Sequence, residues 1–369
     1  MRAVLPAIVF LISAPLVCAQ PYAQIYVFGE SFVDQGNTKD LLTSYLPFEY
    51  PPSPPYAGGR FCNGPVFPEV LADNLRIGPI DASFAGGTNY AYGGARSVGE
   101  SLFLDFVPIP SVRSQVETYL ADVGGFADPD ALYILHDGGN DTFFAVAAFF
   151  EAGWGPAASI MEESALGMIG SVQMLADAGA VHFVIPGAPY FSDSAVMCGV
   201  AVADELGQTY NGILQAGLAG LSGGVRVTYF DLFGFETAVA EHFITGCNYC
   251  VDWNDPTCSA CSDPDERFNW DQGHVTAAVQ QLIGDAITVA MLKDEVLHLA
   301  SQGTLNGGQT NALLAKLDEA YKKLEDRKPK TAANQMRAFL NQVEAFVRVG
   351  IVAPDDAELL VVGAAGLIE

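Results

Sequence analysis

The strongest constraint on the fold is an alternation of short apolar runs with longer stretches that have apolar residues at helical spacing. Continuously apolar short runs are typical of parallel strands that are buried on both faces. Their alternation with helices predicts an α/β fold in which a parallel sheet is covered on both faces. The predicted strands are residues 25–28, 89–95, 131–136, 181–185 and 225–230. The predicted helices are residues 66–75, 112–120, 143–150, 160–178, 204–218 and 275–292.

Residues 1–19 have the composition of a secretory signal. Arg2 supplies the positive charge, an apolar run follows, and Val17-Cys18-Ala19 is an acceptable cleavage site. A lipid anchor on Cys18 is the alternative, although Val17 fits such a signal poorly. The apolar run is short for a membrane span, and no later run reaches about 18 uninterrupted apolar residues. We therefore expect a secreted, periplasmic or extracellular protein with no transmembrane span.

The chain is strongly acidic, with 17 Lys and Arg against 43 Asp and Glu and a formal net charge of −26. Such a surface repels phosphate backbones and anionic membrane faces. We therefore expect no nucleic-acid partner.

Six cysteines follow the signal segment, and an even number in an exported protein favours disulfides. Their pairing cannot be derived from the sequence. Four of them form a CxxC-x7-CxxC pattern that is also compatible with a tetrahedral zinc site, although the spacer is short for one. The six are Cys62, Cys198, Cys247, Cys250, Cys258 and Cys261.

Polar or small residues follow the ends of several predicted strands. The stretch FGESFVDQGN ends the first strand and brings Ser31 to the edge of the sheet. Gly94 lies in the double-glycine turn that ends the second predicted strand, and Asn140 follows the third. Reactive groups of parallel sheets gather beyond the carboxyl ends of the strands. A serine in this place is more often a turn or cap residue, so a role for Ser31 as a nucleophile depends on partners elsewhere in the chain.

His274 is the best candidate for a base that takes the proton of Ser31. Asp271 precedes it by three residues, and a helical turn puts side chains at that spacing on one face. The carboxylate would then orient the imidazole and stabilise its charged form. Two polar residues at the start of a helix more often serve only as caps. The other histidines lie in strands or lack an evident carboxylate partner: His136, His182, His242 and His298.

Three groups are candidate donors for an oxyanion: the backbone N–H groups of Ser31 and Gly94 and the side-chain amide of Asn140. Glycine allows a close approach of the backbone to a ligand, and asparagine donates without carrying charge. Each of these residues, taken singly, is more often part of a turn.

Four motifs together resemble the GDSL (SGNH) esterase/lipase family. FGESFVDQGN, NYAYGGA, GGND and WDQGH occur in the order and approximate spacing of that family, over residues 24–290, and GRFCNG followed by a helix also resembles it. The resemblance implies a three-layer α/β/α, flavodoxin-like fold with no metal or organic cofactor. It implies that Ser31 is the nucleophile, that Asp271 and His274 complete the triad, and that Ser31, Gly94 and Asn140 form the oxyanion hole.

By the same resemblance, the protein is expected to hydrolyse a small-molecule or lipid carboxylic ester through an acyl-enzyme. Two residues depart from the pattern: Glu30 stands where the family usually has aspartate, and Phe32 replaces the usual leucine. The chain has no G-x-S-x-G motif, which argues against an ordinary α/β-hydrolase.

The residue pattern of the sequence changes near residue 293, where apolar residues at helical spacing alternate with charged ones. Two segments with apolar residues at helical spacing and a third helical segment predict a small helical module over residues 293–369. Residues 303–308 are expected to connect this module to the preceding domain. The predicted organisation is therefore a signal over residues 1–19, a hydrolase domain over residues 20–292 and this module. The module has no catalytic constellation and is a candidate for binding a partner that the sequence does not identify.

Two other functions remain open at this point. The same triad would serve an acyltransferase that uses a sterol or sugar as acceptor, and the same fold would serve a non-catalytic protein that binds a glycan or lipid. The aromatic cluster after Asn140 either walls an acyl pocket or, more commonly, forms a helix core; it comprises Phe143, Phe144, Phe149 and Phe150.

Overall fold

The computed structural model describes residues 20–192, 194–221, 224–255 and 259–369. The predicted signal, residues 1–19, lies outside the described residues. The elements up to residue 269 are, in chain order, β1 (Ile25–Gly29), α1 (Asn37–Thr43), α2 (Phe67–Asn74), β2 (Ser101–Phe103), β3 (Val107–Ile109), α3 (Val112–Asp122), β4 (Leu132–His136), α4 (Gly139–Ala152), α5 (Trp154–Asp177), β5 (His182–Pro186), α6 (Ala201–Leu218), β6 (Arg226–Phe230), α7 (Leu232–Ala240), β7 (Ile244–Tyr249) and β8 (Arg267–Asn269). The helices that follow are α8 (Ala277–Ser301), α9 (Gly307–Glu325), α10 (Pro329–Arg348) and α11 (Glu358–Gly366).

Within the described ranges the central sheet has four parallel strands in the order β1-β4-β5-β6. Val27 lies beside Ile134, and Ile134 lies beside Val184, so the apolar runs pair in register. The predicted parallel sheet and four of its five predicted strands are confirmed.

The remaining prediction, a strand over residues 89–95, is wrong, because this segment does not form a regular strand. This segment does run along the edge of the sheet, where the N–H of Tyr90 donates to the carbonyl of Val27 and that of Tyr92 to the carbonyl of Gly29. Its only sheet-like pairings among the described residues are isolated bridges at Asn89. The backbone then turns away at Gly94, whose φ of 83° is costly for other residues.

Helices cover both faces of the sheet because successive strand side chains point to opposite sides. One face packs against α2, α7 and α8, and the other packs against α3, α4, α5 and α6. Full burial of one large apolar side chain contributes about 1.5–3 kcal/mol, so the apolar side chains on both faces stabilise the sheet against its helices. The first face presents Ile25, Val27, Leu132, Ile134, Val184 and Phe230, and the second presents Phe28, Tyr133, Leu135, Phe183 and Ile185.

The C-terminal region is all-helical, as predicted. Helix α8 continues without a break through residue 293 to Ser301. Helices α9 to α11 bury Leu313, Leu317 and Phe339 in the same apolar cluster that contains Val27 of the sheet. The module therefore shares its core with the first face of the sheet.

Several short elements escaped prediction: helices α1 and α7, the antiparallel pair β2-β3, and the pair β7-β8. Each has nine residues or fewer, which is too short for its periodicity to stand out.

Disulfides join Cys198 to Cys247 and Cys250 to Cys261. The four-thiolate zinc alternative is therefore wrong, because three of its four sulfur atoms belong to disulfides: Cys250 and Cys261 pair with each other, and Cys247 pairs with Cys198. Cys62 is a buried free thiol, and Cys258 lies outside the described residues. No helix in the described part of the chain is both long and apolar enough to cross a membrane.

Candidate active site

Ser31 follows directly from the end of β1. The strand ends at Gly29, where a Cβ atom would collide with the carbonyl oxygen of His136 on the neighbouring strand β4. The absence of that atom lets the two strand ends approach each other closely. Ser31 lies two residues later and is 7% exposed, so the structure places it at the carboxyl edge of the sheet, as predicted.

Asp34 fixes the loop that carries Ser31. Its carboxylate accepts the backbone N–H groups of Gly36 (2.7 Å), Asn37 (2.9 Å) and Thr38 (3.2 Å). It also accepts the N–H of Gly93 at 3.0 Å, which ties this loop to the turn that contains Gly94. Burial raises the pKa of Asp34, while these hydrogen bonds act in the opposite direction. One buried carboxylate thus sets the relative position of the serine loop and the glycine turn.

Asp271 and His274 form the predicted pair. The imidazole Nδ1 lies 2.8 and 2.9 Å from the two carboxylate oxygens of Asp271. The backbone N–H groups of Gly273 (2.8 Å) and His274 (2.9 Å) donate to the same carboxylate, and the Tyr56 hydroxyl donates to its other oxygen at 2.7 Å. The carboxylate is therefore held in place from several sides and leaves Nε2 of the imidazole for another partner.

Charges around His274 favour its protonated form. Burial opposes that form, but the carboxylates of Asp271 and Glu30 outweigh the burial and raise the pKa of His274. This is the electrostatic setting that a base needs when it must carry a proton during a reaction.

Ser31, Gly94, Asn140 and His274 line one cavity of about 230 Å³. Asp271 lies behind His274 and is 1% exposed. The structure thus brings together all five residues that the sequence singled out. The rest of the cavity wall is largely aromatic and includes Phe32, Tyr50, Phe61, Phe103, Phe143, Phe191 and Trp253.

The aromatic residues on α4 were considered either as the wall of an acyl pocket or as helix core, and the structure shows one residue in each of these two positions. Phe143 lines the cavity, and Phe149 packs partly buried against the second face of the core. Phe144 and Phe150 are exposed, and the guanidinium of Arg96 lies over the Phe144 ring at 4.6 Å.

Asn140 is the second residue of α4, and its amide nitrogen donates two hydrogen bonds. One goes to the carbonyl of Ala95 at 2.8 Å and the other to Oε2 of Glu30 at 2.9 Å. The Ser31 hydroxyl donates to the same Oε2 at 3.0 Å. Glu30, which departs from the family pattern, therefore contacts both the candidate nucleophile and a candidate oxyanion donor.

The pKa of Glu30 is lowered. Its burial, at 4% exposure, raises the pKa, but the interaction with His136, the charge of His274 and the Ser31 hydroxyl together lower it. An ionised carboxylate thus sits beside the Ser31 hydroxyl.

Two residues of the site were missed by the sequence reasoning. His136 was set aside as a histidine within a strand, yet its Nε2 lies 3.5 Å from Oε1 of Glu30. Its position at the end of a strand adjacent to β1 was the available signal. Tyr56 lies in a proline-rich loop 215 residues away from Asp271 along the chain, and no local pattern relates the two.

Comparisons with known proteins match two parts of the chain to family models. Residues 25–287 match the family model described as GDSL-like lipase/acylhydrolase, and residues 289–369 match that of the FIMAH domain. The two matches meet inside helix α8.

Several curated proteins are similar to this chain. A GDSL esterase/lipase of Arabidopsis thaliana is 26% identical over 328 residues, which cover 76% of this chain and 91% of that protein. Lipase 1 of Photorhabdus luminescens is 28% identical over 184 residues, covering 50% of this chain and 25% of that protein. Esterase EstA of Pseudomonas aeruginosa is 29% identical over 169 residues, covering 36% of this chain and 24% of that protein. This chain thus spans about a quarter of the length of the two bacterial relatives. The family-model match over residues 25–287 covers well over half of the chain. The chain therefore belongs to the GDSL-like lipase/acylhydrolase family of ester hydrolases.

Proposed function

We propose that this chain hydrolyses carboxylic esters through a covalent acyl-enzyme on Ser31, with His274 as the base and Asp271 as its orienter. The observation that carries the proposal is the shared cavity. The cavity is lined by Ser31 and by His274. The Nδ1 atom of the His274 imidazole is held by Asp271. These are the nucleophile, base and orienter that acyl transfer requires.

In the first step, Oγ of Ser31 forms a bond to the ester carbonyl carbon while its proton passes to Nε2 of His274. The carbonyl electrons move onto oxygen, and the backbone N–H groups of Ser31 and Gly94 and the amide of Asn140 stabilise that negative charge. The tetrahedral adduct then expels the alcohol oxygen, which takes the proton from His274. Asp271 keeps the imidazole oriented and stabilises the imidazolium.

In the second step, water attacks the acyl carbon while His274 takes one of its protons. The second tetrahedral adduct expels Oγ of Ser31, which recovers its proton from His274, and the carboxylic acid leaves. The aromatic walls of the cavity favour esters with an apolar acyl group, because apolar contact is the main attraction they provide.

The two disulfides support a site of action outside the reducing cytoplasm. We therefore propose that the protein is exported. Expression with residues 1–19 fused to a reporter enzyme, followed by assay of the cell exterior, tests this directly; reporter activity confined to the cell interior would contradict it.

Replacement of Ser31 by alanine tests the catalytic proposal. We expect Ser31→Ala to abolish turnover of p-nitrophenyl acetate while leaving the circular dichroism spectrum and melting temperature close to those of the wild type. Undiminished hydrolysis by the variant would refute the assignment. Product analysis with and without an added alcohol then separates hydrolysis from acyl transfer.

A further inference from the structure

Glu30 holds two of the proposed catalytic groups in positions that the reaction cannot use. The hydroxyl of Ser31 donates to Oε2 of Glu30 at 3.0 Å, whereas attack on an ester requires it to donate to His274. The amide nitrogen of Asn140 donates to Glu30 and to the carbonyl of Ala95, so both of its hydrogens are already engaged. The arrangement in the structure is thus a resting one.

The charge of Glu30 adds a second difficulty. The oxyanion forms where the Asn140 amide can reach it, and this amide now contacts a carboxylate at 2.9 Å. Two negative charges around one donor repel each other strongly in a site shielded from water. The carboxylate must therefore withdraw from Asn140 before or while the tetrahedral adduct forms.

His136 offers the place to which the carboxylate can withdraw. Its side chain is completely buried, and neither ring nitrogen has a hydrogen-bond partner of good geometry among the described residues. Nε2 lies only 3.5 Å from Oε1 of Glu30, and a small movement of the carboxylate would convert this contact into a hydrogen bond. Buried polar groups without partners are rare, and those that occur call for an explanation.

The space around Glu30 permits such a movement. A Cβ atom at Gly139 would lie 3.1 Å from Oε1 of Glu30, which is tighter than ordinary van der Waals contact. Because Gly139 has no Cβ, the carboxylate has room on the side of α4.

We propose that Glu30 is a positioning residue that latches the resting site: its carboxylate holds Ser31 and Asn140, and it shifts to His136 when the ester carbonyl oxygen takes over the Asn140 amide. This rests on the proposed function of Ser31, Asn140 and His274. The latch makes release of the nucleophile depend on occupation of the oxyanion hole.

A double-mutant cycle on kcat tests the latch. His136→Phe removes the second partner of the carboxylate, and we expect kcat to fall about tenfold, which corresponds to about 1.4 kcal/mol. His136→Gln keeps a donor and should recover most of that loss. In a Glu30→Gln background no charge has to withdraw, so His136→Phe should change kcat by less than twofold.

The pH profile of kcat/KM provides a readout that a purely structural role would not move. The charge of Glu30 helps to raise the pKa of His274. Glu30→Gln should therefore shift the acid limb to lower pH, whereas Glu30→Asp keeps the charge and should leave the limb closer to that of the wild type. Other titratable groups lie near His274 and Glu30, so the pH profile is recorded for every variant. Those near His274 are Asp271, Tyr56 and Tyr50, and those near Glu30 are His136 and Asp137.

Glu117→Gln is the matched control, since it removes one negative charge from the exposed face of α3 and should behave as the wild type in both assays. Equal losses from His136→Phe in the two backgrounds, or an acid limb that does not move in Glu30→Gln, would overturn the latch. Ser31→Ala, assayed in parallel, separates the two proposals. Hydrolysis by Ser31→Ala would refute the function itself, whereas an inactive Ser31→Ala with an additive cycle would refute only the latch.

Discussion

The hydroxyl of Tyr56 provides the sharpest quantitative test of how the triad is held. It donates to Asp271 at 2.7 Å inside the protein, and Tyr56→Phe removes this bond while keeping the ring that packs edge-on against Trp270 at 6.2 Å. A hydrogen bond to a charged acceptor contributes about 1.5–3 kcal/mol. The N–H groups of Gly273 and His274 and the imidazole still hold Asp271, so we assign the loss to the lower end of that range.

A loss of about 1.5 kcal/mol of transition-state stabilisation corresponds to about a tenfold fall in kcat. The assay is steady-state hydrolysis of p-nitrophenyl acetate, combined with urea unfolding of each variant. KM should change little, because Tyr56 acts on Asp271 and is separated from the substrate by His274.

Tyr119→Phe is a matched control. Tyr119 is also fully buried, and its hydroxyl is hydrogen-bonded to that of Tyr133 at 2.9 Å, but it does not line the cavity. It should lose a comparable amount of unfolding free energy without loss of kcat. A Tyr56→Phe variant with wild-type kcat, or equal kcat losses in the two variants, would refute the role given to Tyr56.

Three further predictions concern the oxyanion hole, the pH profile and the disulfides. Asn140→Ala should lower kcat by about 10²–10³-fold with a smaller effect on KM, because loss of one oxyanion donor typically costs about 3–4 kcal/mol; an unchanged kcat would contradict this. Activity requires neutral His274, so kcat/KM should fall as the pH drops through its raised pKa, and Asp271→Asn should move this limb to lower pH; a limb that moves to higher pH would contradict the assignment. The disulfide of Cys198 and Cys247 closes a loop of 49 residues, and that of Cys250 and Cys261 closes a loop of 11. Replacement of both cysteines by serine should lower the free energy of unfolding by about 4 kcal/mol for the longer loop and by about 3 kcal/mol for the shorter one. Urea unfolding measures both losses, and a larger loss for the shorter loop would contradict the chain-entropy argument.

The sequence was sufficient for the features that depend on local pattern. Mostly apolar runs identified β1, β4, β5 and β6, because strands buried on both faces carry few polar side chains. The positions of Ser31 and Asn140 after β1 and β4 followed from the same pattern, since the carboxyl ends of parallel strands lie at one edge of a sheet. That β1 and β4 are direct neighbours is known only from the structure.

Features that depend on contacts between distant segments could not be predicted in this way. Residues 89–95 have the composition of a strand, but hydrogen bonds of the Asn89 side chain to the carbonyl of Val33 and to Gln35 anchor the segment at a loop. Residue 293 marks a change of composition, yet α8 passes through it because both halves of the helix bury apolar residues in one cluster. The contacts of Tyr56 with Asp271 and of His136 with Glu30 likewise arise only when the chain has folded.

The most direct test of the central claim is covalent capture of the nucleophile. The protein is treated with a fluorophosphonate ester, which phosphonylates an activated serine, and the modified peptide is identified by mass spectrometry. We predict one adduct on Ser31, formed in step with the loss of esterase activity and absent from Ser31→Ala. An adduct on another residue that tracks the loss of activity, or hydrolysis that persists after complete modification of Ser31, would contradict the account.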